Sequence, residues 1–245
     1  MLQVTDLAKY YHGQPVFSGV DLDLPAGRFQ ILLGPSGCGK TTLFNTLTGV
    51  IPKDAGTITW QDEPVPHLGN LCAYMHQKDL LLPWFSLMDN ALLPARTRGK
   101  DMAAARDRAG QLLIRLGLGG YEFHRPDQVS GGMRQRCALV RTLMFDRDLI
   151  LLDEPLSALD AITRQRQQHL LLLLQTEFAK TILMITHDVD EALLLADDIF
   201  VLTPMPMGIS RQIKLDLPKP RAFDDPHLLR TKADILAHLV KGEAA

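Results

Sequence analysis

Residues 29–41 read FQILLGPSGCGKT, a short apolar run that leads into a glycine-rich turn ending in lysine and threonine. Residues 34–41 fit the phosphate-loop pattern, in which two glycines, a lysine and a hydroxyl residue stand at fixed spacing. The apolar run predicts a buried strand, and TTLFNTLTG after the lysine predicts a helix. Because strand, spacing and helix agree, they favour a phosphate loop over a surface turn that carries a lysine.

The residues of this loop have distinct predicted roles. The glycines let the main chain wrap a phosphate, Lys40 offers a positive charge to the β- and γ-phosphates, and Thr41 offers a hydroxyl to Mg²⁺. Cys38 lies inside the loop, so we predict that thiol reagents inhibit the protein, although a small buried residue is the alternative. The candidate ATP-binding residues here are Gly34, Pro35, Ser36, Gly37, Cys38, Gly39, Lys40, Thr41 and Thr42.

Two further apolar runs end in residues suited to catalysis. LILLDE at 149–154 and TILMITH at 181–187 predict buried parallel strands, whose carboxyl ends carry the ligand-binding loops of open α/β sheets. Asp153 would orient the shell of a magnesium ion, Glu154 would polarise the attacking water, and His187 would reach the γ-phosphate. A solvated acidic turn and a structural histidine are the alternatives, and the phosphate loop upstream favours the catalytic interpretation.

The stretch VSGGMRQR at 129–136 predicts a second glycine-containing helix start. Ser130 followed by two glycines and good helix formers indicates a capped helix, where backbone N–H groups can hold an anion. It lies in an alanine-, leucine- and arginine-rich stretch, roughly residues 87–145, whose spacing predicts a helical insert. We call residues 34–41 the first cradle and residues 130–132 the second cradle.

The composition is that of a globular protein. Of 245 residues, 46% are hydrophobic and 22% are charged, and 26 basic against 28 acidic side chains give a net charge of −2. No strong field therefore draws the chain to nucleic acid or anionic lipid. Three cysteines without metal-ligand spacing argue against a disulfide framework and suit a reducing cytosol. No run approaches the roughly eighteen apolar residues of a membrane span, so we expect none.

The remaining pattern is mixed. The segments LQVTDL, VFSGVDLDL and GTITW alternate polar and apolar residues and predict short, partly antiparallel strands. Asp225 and Pro226 predict the start of a last helix, with an N-cap residue followed by proline at the first helical position. Together with the buried parallel strands, these elements indicate the α/β class.

The order of the motifs resembles that of the ATP-binding subunits of ABC transporters. Over about residues 2–215 the shared motifs are the phosphate loop, Gln77 in MHQKDLLLPW, VSGGMRQR, residues 149–154, residues 157–160 and His187. The resemblance implies an α/β P-loop NTPase core of the ABC type, with a mixed sheet, an antiparallel β subdomain and an inserted helical subdomain. It implies a single ATP-binding domain over residues 1–245, with the core at about 1–86 and 146–215, the helical signature subdomain at about 87–145 and a helical tail at 216–245.

The resemblance also implies the cofactors ATP and Mg²⁺ and a head-to-tail homodimer. In such a dimer the first cradle of one chain and Ser130, Gly131 and Gly132 of the other close on the same ATP. This arrangement explains why one chain carries two cradles. Asp160 resembles the loop aspartate that communicates between the two ATP sites.

Further roles follow from the same resemblance. Tyr11 resembles the aromatic residue that stacks on adenine, with Tyr10 as the alternative. Gln77 resembles the glutamine that touches magnesium and the attacking water while linking to the membrane subunits. The implied metal-binding residues are Thr41, Gln77 and Asp153, and the implied catalytic residues are Glu154 as general base, His187, Lys40 and Gln77.

Three stretches are similar to one branch of importers. QKDLLLPWFSLMDNALLP, VSGGMRQR and HDVDEALLLADDIFVLTP resemble importers of nitrate, sulfonates, taurine or pyrimidine precursors of thiamine, from which Asp198 and residues 205–207 depart. The implied partners are transmembrane permease subunits and, indirectly, an extracytoplasmic solute-binding protein, with no nucleic acid. The implied location is the cytoplasmic face of the inner or plasma membrane. Trp84 and Phe85 are candidates either for the surface that receives the permease or for core aromatics.

Two other classes of protein share parts of this pattern. A non-transport ABC ATPase acting on nucleic acid or ribosomes would have the same catalytic motifs, but usually also tandem cassettes or a long coiled-coil insertion. A phosphate-loop kinase would have no use for VSGGMRQR together with residues 157–160 and His187. The sequence therefore favours a transport ATPase.

Overall fold

The computed structural model describes residues 1–157 and 161–243, and within these ranges it contains two β-sheets and seven α-helices. Asp160 lies outside the described residues. The strands are β1 Leu2–Tyr11, β2 Gln14–Leu24, β3 Phe29–Leu33, β4 Ala55–Trp60, β5 Glu63–Val65, β6 Cys72–Met75, β7 Leu149–Asp153, β8 Thr181–Thr186, β9 Asp198–Leu202 and β10 Ile209–Lys214. The helices are α1 Lys40–Thr48, α2 Leu87–Thr97, α3 Met102–Arg115, α4 Gly131–Met144, α5 Ala161–Thr176, α6 Val189–Leu195 and α7 Pro226–Glu243.

The larger sheet has six strands in the order β10, β9, β3, β8, β7, β6. All its neighbouring strands pair in parallel except β10, which runs antiparallel to β9 at one edge. Strands β3, β7 and β8 are buried along their whole length, which explains why their sequences are uninterrupted apolar runs. The three predicted parallel strands are confirmed.

Both faces of the larger sheet are covered. In β3, Ile31 and Leu33 belong to the core that continues into α2, α3 and α4, whereas Leu32 belongs to the core formed with α1 and the smaller sheet. Successive side chains of a strand point to opposite faces, so one strand contributes to both cores. Because parallel strands end at the same edge, the segments that follow β3, β8, β7 and β6 lie side by side.

The smaller sheet is antiparallel, with the strand order β2, β1, β4, β5. Its β1–β2 hairpin turns through His12 and Gly13, whose φ angles are 51° and 78°. Positive φ at both turn residues is the geometry that two-residue hairpins prefer. The antiparallel pairing predicted for these segments is confirmed, and it fixes Tyr11 at the end of β1 next to the turn.

Helices α2, α3 and α4 lie between Leu87 and Met144. Ser86 caps α2 by accepting the N–H of Asp89, and Asp101 caps α3 by accepting the N–H of Ala103. No helix within the described ranges is both long and apolar enough to cross a membrane.

The C-terminal segment packs on the rest of the molecule. Asp225 accepts the N–H groups of His227 and Leu228, so it caps α7, and Pro226 is the first helical residue as predicted. Leu228 and Ile235 of α7 are buried in the larger core. Arg221 connects the segment before α7 with the end of α6. Its guanidinium donates to the carbonyls of Leu193, Ala196, Leu215 and Leu217.

Candidate active site

Four predicted catalytic side chains meet at the carboxyl edge of the parallel strands. Glu154, which follows β7, is at the centre of the group. Its Oε1 lies 3.7 Å from Nζ of Lys40, and its Oε2 lies 3.2 Å from Nδ1 of His187. The side-chain amide of Gln77 donates to the same Oε2 at 3.3 Å. Lys40, His187, Glu154 and Gln77 follow the adjacent strands β3, β8, β7 and β6, so the sheet topology itself brings them together.

The first cradle needs its glycines for conformation and for space. Gly37 and Gly39 have φ angles of 81° and 113°, in the left-handed region that favours glycine. A Cβ on Gly39 would come within 2.8 Å of a methyl of Val16, and one on Gly34 within 2.9 Å of the Cβ of Leu202. The main chain at Gly39 and Gly34 therefore lies directly against β2 and β9, which leaves no space for a side chain at either position.

Helix α1 begins at this cradle without a side-chain cap. Its N-cap residue is Gly39, which provides no side chain to accept the first N–H groups of the helix. Uncapped N–H groups at a helix start, together with the helix dipole, favour an anion. Lys40 is buried, and its ammonium donates to the carbonyls of Gly34 and Pro35 at 2.8 and 2.9 Å. The cradle therefore combines backbone donors with one fixed positive charge.

Asp153 and Thr41 form the candidate magnesium site. The Thr41 hydroxyl donates to Oδ1 of Asp153 at 3.4 Å, and the Tyr74 hydroxyl donates to Oδ2 at 3.1 Å. Burial raises the pKa of Asp153, an effect that a bound cation would oppose by favouring the carboxylate. Within the described ranges no group of three His, Cys, Asp or Glu side chains could hold a metal alone. One carboxylate and one hydroxyl nevertheless fit Mg²⁺, which takes few protein ligands and completes its shell with water and phosphate oxygens.

The backbone at Glu154 is in an unusual conformation. Its φ angle is 43°, in the left-handed region that residues with a Cβ rarely adopt. The Glu154 N–H donates to the carbonyl of Ile185 in β8, while its own carbonyl accepts the backbone N–H and the hydroxyl of Ser157. These contacts hold a conformation that is otherwise unfavourable, and backbone outliers of this kind cluster at functional sites.

The second cradle is a separate place in this structure. Ser130 is the N-cap of α4, and its hydroxyl accepts the N–H of Met133 at 3.3 Å. Ser130, Gly131 and Gly132 line a cavity of about 1110 Å³ whose lining includes no residue of the first cradle. Arg136 supports the helix start by donating to the carbonyls of Gly132, Leu116 and Gly117. Within one chain, the structure does not join the two cradles into one site.

Tyr11 lies on the hairpin beside the first cradle. The opposite strand of that hairpin carries Val16, which packs against Gly39. Tyr11 is 46% exposed and Tyr10 is 40% exposed, so both rings are available to a ligand. The ammonium of Lys9 lies 5.4 Å from the centroid of the Tyr11 ring. The location fits the predicted base-stacking role of Tyr11.

The sequence analysis did not predict the contacts of Tyr74 and of Asp79 at the site. Tyr74 in β6 binds Asp153, and a polar aromatic residue in a short buried strand was the only sequence signal for it. Asp79, two residues after Gln77, pairs with Arg134 of α4, and Arg141 of the same helix donates to the carbonyls of Asp79 and Leu80. The segment that carries Gln77 is thus bound to the helix that begins at the second cradle.

A glycine loop with a buried lysine, followed on adjacent parallel strands by an acid pair and a histidine, defines a phosphate-loop ATPase. The sequence matches the ABC transporter family over residues 17–157. It is 38% identical over 244 residues to the taurine import ATP-binding protein TauB of Yersinia pestis bv. Antiqua, with 96% of each chain covered. It is 37% identical over 244 residues to the aliphatic sulfonates import ATP-binding protein SsuB 1 of Rhodococcus jostii, covering 100% of this chain and 95% of the relative.

A solved structure agrees with these relatives. The dimeric post-hydrolysis structure of the ATP-binding cassette MJ0796 bound to ADP and phosphate superposes with a TM-score of 0.78 at 27% identity, covering 91% of this chain and 100% of the other. The chain belongs to the ABC transporter family. It is an ATP-binding, ATP-hydrolysing protein with the ABC ATPase fold, as the sequence predicted.

Proposed function

We propose that this chain is the ATP-hydrolysing subunit of an importer for taurine or a closely related organosulfonate. The observation that carries the proposal is the 38% identity to a taurine import ATP-binding protein over 96% of both chains. The aliphatic sulfonate relative supports the same substrate class. Nitrate and pyrimidine precursors of thiamine are the other solutes that the sequence allowed. The helical part also favours transport over a nucleic-acid role, because its three described helices of 11, 14 and 14 residues include no long coiled coil.

The proposed reaction is attack of water on the γ-phosphate of ATP. The water oxygen forms a bond to the γ-phosphorus while the bond from that phosphorus to the β–γ bridging oxygen breaks, giving ADP and phosphate. Glu154 accepts the proton of the water, and Gln77 and His187, both within 3.3 Å of its Oε2, orient the carboxylate and the water. Lys40 and the backbone of the first cradle hold the phosphates.

The proposed metal is Mg²⁺, held by Thr41 and Asp153 with Gln77 close to the water. When bound, it neutralises negative charge on the β- and γ-phosphates. Tyr74 occupies Oδ2 of Asp153 and so leaves Oδ1 facing Thr41. Thr41 and Asp153 thus present two adjacent oxygen atoms that would hold the ion.

The proposed active form is a head-to-tail homodimer in which the second cradle of each chain covers the ATP of its partner. The dimeric cassette bound to ADP and phosphate supports this assembly. The separation of the two cradles within one chain supports it as well, since Ser130, Gly131 and Gly132 then have a ligand. Asp160, which resembles the aspartate that communicates between the two ATP sites, lies outside the described residues.

The proposed membrane partner is a permease that binds beside the Gln77 segment at the cytoplasmic face of the membrane. Trp84 is 64% exposed, so the alternative that Trp84 is a core residue is wrong. Leu80 of the same segment is 52% exposed. Phe85 is only partly buried and packs its ring edge-on against Trp84, with ring centroids 6.3 Å apart. Exposed aromatic residues of this kind suit an interface anchor. Trp84→Ala should impair assembly with the permease while the chain keeps its own ATPase activity.

The catalytic part of the proposal is tested with Glu154→Gln. The substitution keeps the shape of the side chain but removes the base, so turnover should fall by about 10²–10⁴-fold while ATP binding is retained. Glu177→Gln, a surface carboxylate paired with Arg115, is the matched control and should leave turnover unchanged. Turnover of Glu154→Gln within a few fold of wild type would reject Glu154 as the base.

The substrate is tested with the assembled transporter in proteoliposomes that contain ATP. Taurine or an alkanesulfonate, supplied with the cognate binding protein, should stimulate ATP hydrolysis and accumulate in the vesicles. Stimulation by nitrate or a pyrimidine alone would contradict the organosulfonate assignment without affecting the assignment as an ATPase.

A further inference from the structure

Glu191 is a buried carboxylate next to the active site that the reaction described above does not use. It lies in the first turn of α6, is only 3% exposed, and its Oε2 accepts the hydroxyl proton of Thr186 at 2.6 Å. Thr186 is the last residue of β8 and directly precedes His187. Burial raises the pKa of Glu191 to about 7.

The Thr186 hydroxyl links Glu191 to the backbone on the far side of His187. While it donates to Glu191, it accepts the backbone N–H of Asp188 at 3.0 Å. Asp188 is in turn the N-cap of α6, and its Oδ1 accepts the N–H groups of Asp190 and Glu191 at 2.8 and 3.1 Å. The peptide unit that follows His187 is therefore held by hydrogen bonds that lead back to Glu191.

The arrangement is a capping box with one additional group. In the usual box the N-cap side chain accepts an N–H of the first turn, while the third helical residue, Glu or Gln, accepts the N-cap N–H directly. Here Glu191 is that third residue, but the hydroxyl of Thr186 stands between its carboxylate and the N–H of Asp188. The extra hydroxyl extends the box back across His187, so the cap of α6 spans the backbone that carries the imidazole.

The surroundings of the Glu191 carboxylate disfavour its charged form. Its charged neighbours are Arg164 of α5, whose Nε lies 3.9 Å away, and Asp188 and His187 on the same loop, while Lys232 of α7 pairs with Asp190 instead. A raised pKa means that burial disfavours the charged form, so the group costs stability at neutral pH. Groups whose pKa is shifted by burial and by specific charged neighbours cluster at functional sites.

We propose that Glu191 is a positioning residue for ATP hydrolysis, which acts through the Thr186 hydroxyl to hold His187 at Glu154. The Nδ1 of His187 is 3.2 Å from Oε2 of Glu154, and a small shift of the loop would break that contact. The inference rests on the proposed role of His187. It adds two residues to the reaction that touch neither nucleotide nor metal.

The test measures steady-state kcat and KM for ATP, together with equilibrium ATP binding, on the purified full chain. Thr186→Val removes the hydroxyl and keeps the side-chain volume, and Glu191→Ala removes the carboxylate. Each should lower kcat by about 10–100-fold with ATP affinity changed by less than about twofold, because misplacing a catalytic group by about 1 Å costs up to about 10²-fold. Thr186→Ser and Glu191→Gln, which keep a hydroxyl and an acceptor oxygen, should restore most of the rate.

A matched control lies on the same strand. Thr181 begins β8, is equally buried, and its hydroxyl accepts the N–H of Gly27 at 2.9 Å. Thr181→Val should lower the melting temperature without lowering kcat. Comparable loss of kcat in Thr181→Val and Thr186→Val would show a general effect of the strand and overturn the proposal.

A double-mutant cycle decides whether Glu191 acts through His187. In a His187→Ala background, Thr186→Val and Glu191→Ala should have no further effect on kcat, because residues that act as a unit are non-additive. Losses that multiply would overturn the proposal, as would wild-type kcat in both single variants while His187→Ala is impaired. Wild-type kcat in His187→Ala would reject the role of His187 and this inference together. If Glu191→Ala does not fold, Thr186→Val alone decides.

Discussion

The two cradles are both glycine-containing helix starts, yet they are built differently. In the first, α1 begins at Gly39 with no side-chain cap, and the buried Lys40 lies across the loop. In the second, Ser130 uses its hydroxyl to cap its own helix, and the surrounding cavity is open. In the first cradle no side chain caps the backbone N–H groups at the start of α1, so a ligand can accept them. In the second cradle the Ser130 hydroxyl already accepts the N–H of Met133 in α4.

The difference assigns the two cradles to different steps. The first cradle has a fixed charge, the proposed metal-binding pair Thr41 and Asp153, and the proposed base Glu154 nearby, so we expect one chain to suffice for nucleotide binding. The second has backbone donors and the supporting Arg136 but no acid in its cavity lining. We therefore expect the first to determine nucleotide affinity and the second to determine the rate of hydrolysis within a dimer.

The largest expected effect is that of Lys40→Ala on nucleotide binding. The variant removes the one fixed charge of the first cradle, so ATP affinity should fall by about 10²–10³-fold, since a hydrogen bond to a charged group contributes about 1.5–3 kcal/mol and Lys40 would make one to each of two phosphates. Equilibrium binding of a fluorescent ATP analogue measures it. Lys53→Ala is the control, because the Lys53 ammonium also donates to a backbone carbonyl, that of Gly56, but on the β4 side. Equal ATP affinities of Lys40→Ala and Lys53→Ala would contradict the expectation that the first cradle determines nucleotide affinity.

Ser130→Ala should affect the rate and not the affinity. In the proposed dimer it removes one donor to the partner's ATP, so kcat should fall by about 10²-fold while ATP binding at low protein concentration is unchanged. Loss of the helix cap costs about 1 kcal/mol of stability by itself. Ser86→Ala is the matched control, since Ser86 caps α2 by the same kind of bond. A wild-type rate that is strictly first order in protein at all dilutions would contradict the two-chain site.

Tyr11→Ala should have a smaller effect, confined to affinity. Stacking of a base on an aromatic ring contributes about 1–3 kcal/mol, so ATP should bind about tenfold more weakly. Tripolyphosphate, which has no base, should bind both proteins equally. Tyr10→Ala is the control on the neighbouring residue. If it is the variant that weakens ATP binding, the base stacks on Tyr10 and the alternative assignment holds.

The smallest expected effect is that of thiol reagents on Cys38. Burial raises the pKa of the Cys38 thiol, and the side chain is only 2% exposed, so modification of the folded protein should be slow. Activity should fall by less than about twofold in the time that the unfolded chain is fully modified, since the thiolate is the reactive form. Bound ATP should slow the reaction further. Full activity after stoichiometric modification of Cys38 would contradict its place against the nucleotide.

The fold was predictable where a fully buried strand has an uninterrupted apolar sequence. Strands β3, β7 and β8 are buried on both faces, so each is a readable apolar run, and their parallel pairing places Lys40, Glu154 and His187 at one edge. Strand β6 has four residues and β10 is largely exposed, so neither produced a clear pattern. The order of strands in the sheet brings together segments far apart in the chain, and no local pattern encodes it.

The candidate site was predictable to the same extent. Residues at strand ends followed from the strands, because topology alone places them. The contacts of Glu191 with Thr186 and of Tyr74 with Asp153 depend on side-chain direction within the folded protein, which periodicity does not specify. Asp160 remains a prediction outside the described residues.

The left-handed backbone conformation of Glu154 sets thermal stability against the rate of ATP hydrolysis. Glycine at this position would relieve a conformation that costs about 1 kcal/mol or more, so, given the proposed role of Glu154, selection for thermal stability alone would favour a protein that binds ATP but no longer hydrolyses it. Glutamine keeps the same backbone penalty, which makes it the cleaner probe of the chemistry. At position 154, a laboratory screen for thermal stability would thus select against the hydrolytically active protein.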